Sequence, residues 1–330
     1  MQNSAHNKDV FARGLARNFI SQHRFKEAML VLEESYAGIS NKKATQLMLF
    51  DVYMEVGRYK DAFAMLEKSK NLSDYNYLIR LAKWNDYKGD LDAAIRFIEK
   101  ARDIADERKS KPLQLWTYTN LGDFYGHAGR VEDAYRQYLK ALQLQPDNAY
   151  AKKGIAWIAY AGEGDTTTAN RILDSISIHH KVPDYYLLKA EMAEFNGNIA
   201  ESDTYMSQFE EAVVNGNYGD MYNAYLIEMY ATLNPSKAIA LAEEEISNRA
   251  TPETYHLLAL AQVSNGQVKE ALATIEKFVK DKTSEPMALY HAAIVYKANK
   301  KKELVAPIKE ELLTAAFEVG PVLLEKIKDL

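Results

Sequence analysis

The residues of this chain that could do chemistry are few and scattered. His179 and His180 stand near Asp174 and Asp184, a set of imidazole and carboxylate groups of the kind that holds a divalent metal. The two histidines are adjacent, so on a helix their side chains diverge by about 100° and do not easily share one ion. They are read as part of a turn, with no metal and no cofactor. Gly162-Glu163-Gly164-Asp165 has the glycines of a phosphate loop but lacks the Lys-Ser/Thr pair that would follow them. Glu33-Glu34, Glu210-Glu211 and Glu243-Glu244-Glu245 bring carboxylates together, as outward-facing helix surfaces ordinarily do. No G-x-S-x-G, H-E-x-x-H or calcium-loop pattern is present. The absence of cysteine removes thiol catalysis, disulfides and thiolate metal sites together. The expectation is a non-catalytic protein, with an enzyme of unrecognised site as the remaining alternative.

The elements that would position any site are announced by a recurring phrase: an apolar residue, two mostly polar ones, then alanine. It reads Phe25-Lys26-Glu27-Ala28, Tyr59-Lys60-Asp61-Ala62, Leu91-Asp92-Ala93-Ala94, Val131-Glu132-Asp133-Ala134 and Val268-Lys269-Glu270-Ala271. Glycine stands two residues before four of these copies. Aligned on that position, His23, Gly57, Gly89, Gly129, Glu163, Gly197, Asn234, Gly266 and Lys300 are spaced by 34, 32, 40, 34, 34, 37, 32 and 34 residues. A period of this length marks a repeat architecture. Five residues on lies a small residue: Ala28, Ala62, Ala94, Ala134, Thr168, Ser202 and Ala271, with Ala238 one early and Val305 larger. The flanks are helical by their 3.6-residue period, as with Tyr118, Leu121, Gly122 and Tyr125. Each repeat is therefore helix, turn, helix. Glycine occupies the turn because φ > 0 costs it little, and alanine follows where two helix backbones approach.

The repeat resembles the tetratricopeptide repeat. The best copy, 115–148, carries Leu121-Gly122, Tyr125, Gly129, Ala134, Tyr138, Ala141 and Pro146 at that family's spacings. The resemblance implies an all-α, right-handed superhelical α-solenoid of about nine helix pairs. Repeats start near residues 9, 43, 75, 115, 149, 183, 220, 252 and 286, forming one domain over 1–330. Pro112, Pro183, Pro252 and Pro286 fall at starts of first helices, where a missing N–H is tolerated. The extra residues at 106–112 read as a longer second helix, and the turn-rich stretch 215–220 as a hinge. Pro307 predicts a kink or late start in the last repeat. Gly320-Pro321 predicts a break before a capping helix over 321–330, in which Val322, Leu323 and Ile327 cover the end of the stack.

In this family first helices line a concave groove that takes up partners. By register, Arg13, Arg17, Asp51, Glu55, Asn76, Arg80, Lys83, Trp84 and Tyr87 belong to it in repeats one to three. Trp116, Asn120, Asp123, His127, Tyr150, Lys153, Trp157, Tyr160, Glu191 and Glu194 belong to it in repeats four to six. The resemblance also suggests a carboxylate seat made by Arg13, Arg17 and Arg80, since guanidinium binds carboxylate bidentately. The aromatic residues outside the repeat consensus concentrate in repeats three to five, the expected contact region. The implied function is a scaffold or adaptor that binds a peptide or protein segment in the groove. The alternative is a structural subunit of a larger assembly, such as one of the cell envelope, that uses its convex face or ends. A net charge of −5 argues against nucleic acid, which needs clustered Lys and Arg. No run of 18 apolar residues is present, so no transmembrane segment is expected. The chain reads as soluble, cytoplasmic or exported, with the lack of cysteine leaning to the latter.

Overall fold

The computed structural model describes residues 2–38 and 43–330, and the regular structure among them is helical throughout. Among the described residues nineteen α-helices alternate with short turns: an all-α repeat fold, as the spacing predicts. The alternation is built by one local device. At His23, Gly57, Gly129 and Lys300 the backbone is left-handed, with φ of 56°, 77°, 68° and 60°. The next residue returns its N–H to a carbonyl five positions back. Arg24 bonds Phe19 at 3.0 Å, Arg58 bonds Tyr53 at 2.8 Å, Arg130 bonds Tyr125 at 2.7 Å and Lys301 bonds Tyr296 at 2.9 Å. This closes the first helix and starts the second. The arginine after the turn also lies over the same aromatic ring, Arg58 on Tyr53 at 4.4 Å and Arg130 on Tyr125 at 4.2 Å.

Two repeats depart from the device. In the fifth, a π-helical turn, Ile158–Gly162, adds a residue. The left-handed residue becomes Gly164 instead of Glu163, and the buried small residue becomes Ala169 instead of the expected Thr168. In the seventh, Asn234 has φ −154° and caps the next helix directly, its side chain accepting from the Lys237 amide at 3.2 Å. The turn is one residue shorter, which is why Ala238 comes early. Elsewhere the small positions Ala28, Ala62, Ala94, Ala134 and Ala271 are buried, as close helix approach requires.

The helices group into two compact units, 1–89 with 218–305, and 90–217 with 306–330. The first contains α1 (Gln2–Ser21), α2 (Phe25–Gly38), α3 (Lys43–Glu55), α4 (Tyr59–Lys68) and α5 (Tyr75–Tyr87). With them lie α13 (Asn223–Leu233), α14 (Pro235–Asn248), α15 (Pro252–Ser264), α16 (Val268–Phe278) and α17 (Pro286–Ala298). One core of this unit has Leu32, Leu49, Phe50, Val52 and Leu66 fully buried. Within it distant repeats meet. The Asn248 amide donates to the His23 carbonyl at 2.7 Å and its oxygen accepts from the Lys26 amide at 3.2 Å. Arg249 faces Glu55 at 3.6 Å. A solenoid in which each repeat touched only its neighbours would have no such contacts.

The second unit contains α6 (Leu91–Glu107), α7 (Lys111–His127), α8 (Val131–Leu144), α9 (Ala149–Trp157), α10 (Thr166–Ser177), α11 (Asp184–Phe195) and α12 (Ile199–Asn215). The extra residues before the fourth repeat lengthen α6 to 17 residues and end in Lys109 at φ 49°. Helix α18 (Lys302–Thr314) carries Pro307 inside it and passes from the first unit into the second. Helix α19 (Ala316–Lys328) is broken at Gly320, whose φ/ψ of 75°/166° separates a short turn from the helix opened by Pro321.

Candidate functional site

The first helices of repeats four to six bring their predicted residues to one face of the second unit. The Tyr138 ring is clasped between Gly122 of α7 and Gly154 of α9, where an added Cβ would come within 2.5 and 2.4 Å of it. Its hydroxyl donates to Asp123 at 2.6 Å, and the Tyr150 hydroxyl donates to the other Asp123 oxygen at 2.7 Å. Burial raises the Asp123 carboxyl above its usual range, against the two phenols and the nearby His127 and Lys153. Asp123 thus ties α7, α8 and α9 together. Asn120 turns back to the Trp116 carbonyl at 2.8 Å, and Lys153 reaches Asp184 at 3.4 Å. Trp116 and Tyr150 keep 41% and 56% of their surface exposed.

The C-terminal segment lies on this face. Helix α19 packs against α7, the π-helical turn and α11. Phe317 fits beside Gly126 and Gly162, its ring atoms 3.0 and 3.7 Å from where a Cβ would stand on each. The Trp157 indole N–H donates to the Phe317 carbonyl at 3.1 Å. At Gly320 an added Cβ would come within 2.7 Å of the Trp157 ring and 2.8 Å of the Glu191 carboxylate. The Tyr160 hydroxyl donates to Glu191 at 3.0 Å and takes up the Val322 amide. Burial raises Glu191 to about 7, with Tyr160 opposing and Glu194 adding to the rise. At the rim Lys326 pairs with Glu194 at 2.9 Å, and His127 faces Glu318 at 3.9 Å. Val319 and Ile327 are buried, while Val322, Leu323 and Leu324 are half-buried.

In the first unit three of the predicted cations, Arg13, Arg80 and Lys83, are engaged by the chain's own carboxylates. Arg13 bonds Asp9 at 3.0 Å. Arg80 grips Asp51 at 2.5 Å and also donates to the Leu47 and Asn76 carbonyls, both at 2.9 Å. Arg17 is exposed. A three-arginine carboxylate seat would first have to draw Arg13 and Arg80 away from these partners. Lys83 pairs with Glu55 at 2.7 Å. Burial alone would raise Glu55, but Lys83 and Arg249 outweigh it and hold the carboxyl below its usual range. Trp84 stacks on Phe63 with centroids 4.9 Å apart, and Tyr87 on Tyr59 at 4.2 Å. Both belong to the rim of the core.

One buried pair escaped the sequence reading. His256 of α15 and His291 of α17 meet through their Nδ1 atoms at 2.8 Å. Burial lowers His291 to about 4 and, with His291 and Arg249 adding, lowers His256 well below the imidazole range. Both are neutral at pH 7, one donating to the other. Their occurrence on first helices of successive repeats was the available signal. Elsewhere His180 bonds the Tyr185 hydroxyl at 2.7 Å. Among the described residues no three His, Asp or Glu side chains form a group able to hold a metal, and no helix is long and apolar enough to cross a membrane.

Residues 117–148, within the repeat whose motif is most complete, match the family model described as tetratricopeptide repeat. Among curated proteins no relative is found by sequence. Solved structures similar to the chain include PilW, described as a widely conserved type IV pilus biogenesis factor, at 15% identity and TM-score 0.49, covering 67% of this chain and 98% of PilW. A tetratricopeptide repeat protein from Parabacteroides merdae is 20% identical at TM-score 0.41, covering 77% of this chain and 96% of that one. The human IFIT1 dimer with PPP-AAAA is 19% identical at TM-score 0.46, covering 82% of this chain and 67% of that one. A net charge of −5 is a sum over 330 residues and describes no one surface, so the charge argument against a nucleic-acid partner is left without support.

Proposed function

We infer that this chain, an all-α repeat protein with a tetratricopeptide repeat at 117–148, is a non-catalytic scaffold that holds a peptide or protein segment against α7, α9 and α11. One observation carries the reading: that face already takes up a segment of the chain itself, 316–328, through an aromatic anchor, a main-chain hydrogen bond and a rim ion pair. Those are the means by which grooves hold peptides. The Tyr138–Asp123–Tyr150 bracket fixes α7, α8 and α9 beforehand, so little ordering cost falls on binding. The test is affinity purification with the full chain as bait. Trp116→Ala and Trp157→Ala each reduce the recovered partner at least about tenfold, the loss of one hot-spot aromatic, with helicity unchanged by circular dichroism. Equal recovery by all three baits would sink the groove reading.

A second reading has its own observation. Helix α1 exposes Phe11 to 74%, Val10 to 49% and Leu15 to 36%, apolar surface that an assembly contact at the first repeat would cover. In that case Phe11→Glu, and not the groove variants, abolishes complex formation measured by light scattering.

A further inference from the structure

Resting on the groove reading, we propose that the face of α7, α9 and α11 recognises an aromatic-x-x-Gly-Pro sequence followed by a short amphipathic helix. The chain's own Phe317-Glu318-Val319-Gly320-Pro321 is then an internal copy that a partner segment of the same chemistry displaces.

Each position of that sequence is read by a separate contact. The aromatic seat exists because Gly126 and Gly162 leave space for a ring, with the Gly126 Cβ position only 3.0 Å from Phe317 Cε1. Glycine inside α7 costs helix stability, so its placement beside the ring marks the seat. Trp157 donates to the aromatic residue's carbonyl, a contact any sequence in the same backbone path would keep. Gly is required at the fourth position twice over, by φ 75° and by the approach of Trp157 and Glu191 to its missing Cβ. Pro at the fifth position has no N–H to leave unpaired and pre-forms the start of the helix. The amide after it meets the Tyr160 hydroxyl. Val319 and Ile327 supply the buried apolar side.

The segment is also held as a ligand is held. It joins α18 through a break at Ala315. Its Lys326–Glu194 ion pair and its Glu318–His127 contact lie at the exposed rim, and Val322 to Leu324 stay half-buried. Tethered this way it competes at an effective concentration of order millimolar, so a free segment binds well only when the internal copy is unseated.

The experiment titrates a fluorescein-labelled synthetic peptide of residues 314–330 with the full-length chain as wild type, Phe317→Ala and Gly320→Ala, reading anisotropy, with circular dichroism and thermal melts of each protein. The expected result is at least tenfold tighter binding to both variants than to wild type. Alanine at the peptide's own Phe or Gly position weakens binding at least tenfold, and adding Trp157→Ala to the Phe317→Ala chain abolishes it. Equal binding by all chains, or by the alanine-substituted peptides, overturns the proposal. So does loss of the helical signal in both variants, because the segment is then core. Should the peptide fail while partner recovery still depends on Trp116, the recognition sequence is wrong and the groove reading stands. Should the peptide bind as expected while recovery ignores the groove, the partner reading falls alone.

Discussion

Glu191 sits beneath Gly320 with the Tyr160 hydroxyl on one oxygen, and its carboxyl is raised by burial to about 7. Below pH 4.5, its ordinary value, it is protonated in both folded and unfolded chains. Between 4.5 and about 7 the folded chain keeps a proton that the unfolded chain releases, so stability falls as pH rises through that window. Glu191→Gln removes the titration. The melting temperature of the wild type is expected to drop from pH 5 to pH 8 by several degrees more than that of the variant. Glu228 and Glu245, also raised to about 7 by burial, remain in both proteins and cancel from the comparison. Parallel curves would show that Glu191 ionises normally. The register alone placed Trp157, Tyr160 and Glu191 on first helices. That they face Phe317 and Gly320 lay beyond it, because no local pattern encodes a contact 160 residues away.

Seven of the nine turn positions aligned from sequence take the left-handed backbone, five of them with glycine and two, His23 and Lys300, with a side chain. Lys300 adopts φ 60° with a side chain, at a steric cost of roughly 1–2 kcal/mol, while Gly197 adopts φ 77° with open space around it. Lys300→Gly is expected to stabilise the chain by about 0.5–1 kcal/mol and Gly197→Ala to destabilise it by about 1 kcal/mol, read from urea midpoints. Shifts of the same sign in both would mean that the turns do not set the helix ends. The ladder was legible because turn geometry selects residues locally. Thr168 was misplaced by one because a π-helical turn inserts a residue with no sequence mark of its own. Helix α19 was expected over 321–330 as an end cap. The helix opened by Pro321 is there, but with its preceding turn it lies on α7, the π-helical turn and α11. An amphipathic stripe states that a partner is needed but does not say which face supplies it.

At the scale of the molecule, the first unit joins residues more than 200 apart. Asn248 alone serves the His23 carbonyl and the Lys26 amide, so Asn248→Ala leaves two backbone groups without their partner. It is expected to cost about 1–3 kcal/mol and to raise amide exchange together at the starts of α2 and α15. Faster exchange confined to α14 would show that the two ends of the sequence are not coupled. The sequence by itself determined the helix pairs, their turns and the all-α repeat class, because these follow from spacings within about 35 residues and from which residues tolerate φ > 0. Tertiary structure alone decided that repeat seven meets repeats one and two, that Arg13 and Arg80 are held by Asp9 and Asp51, and that the 316–328 segment fills the face of repeats four to six. Those outcomes depend on which surfaces meet once the helices stack, and small differences in helix approach accumulate over many repeats before they are decided.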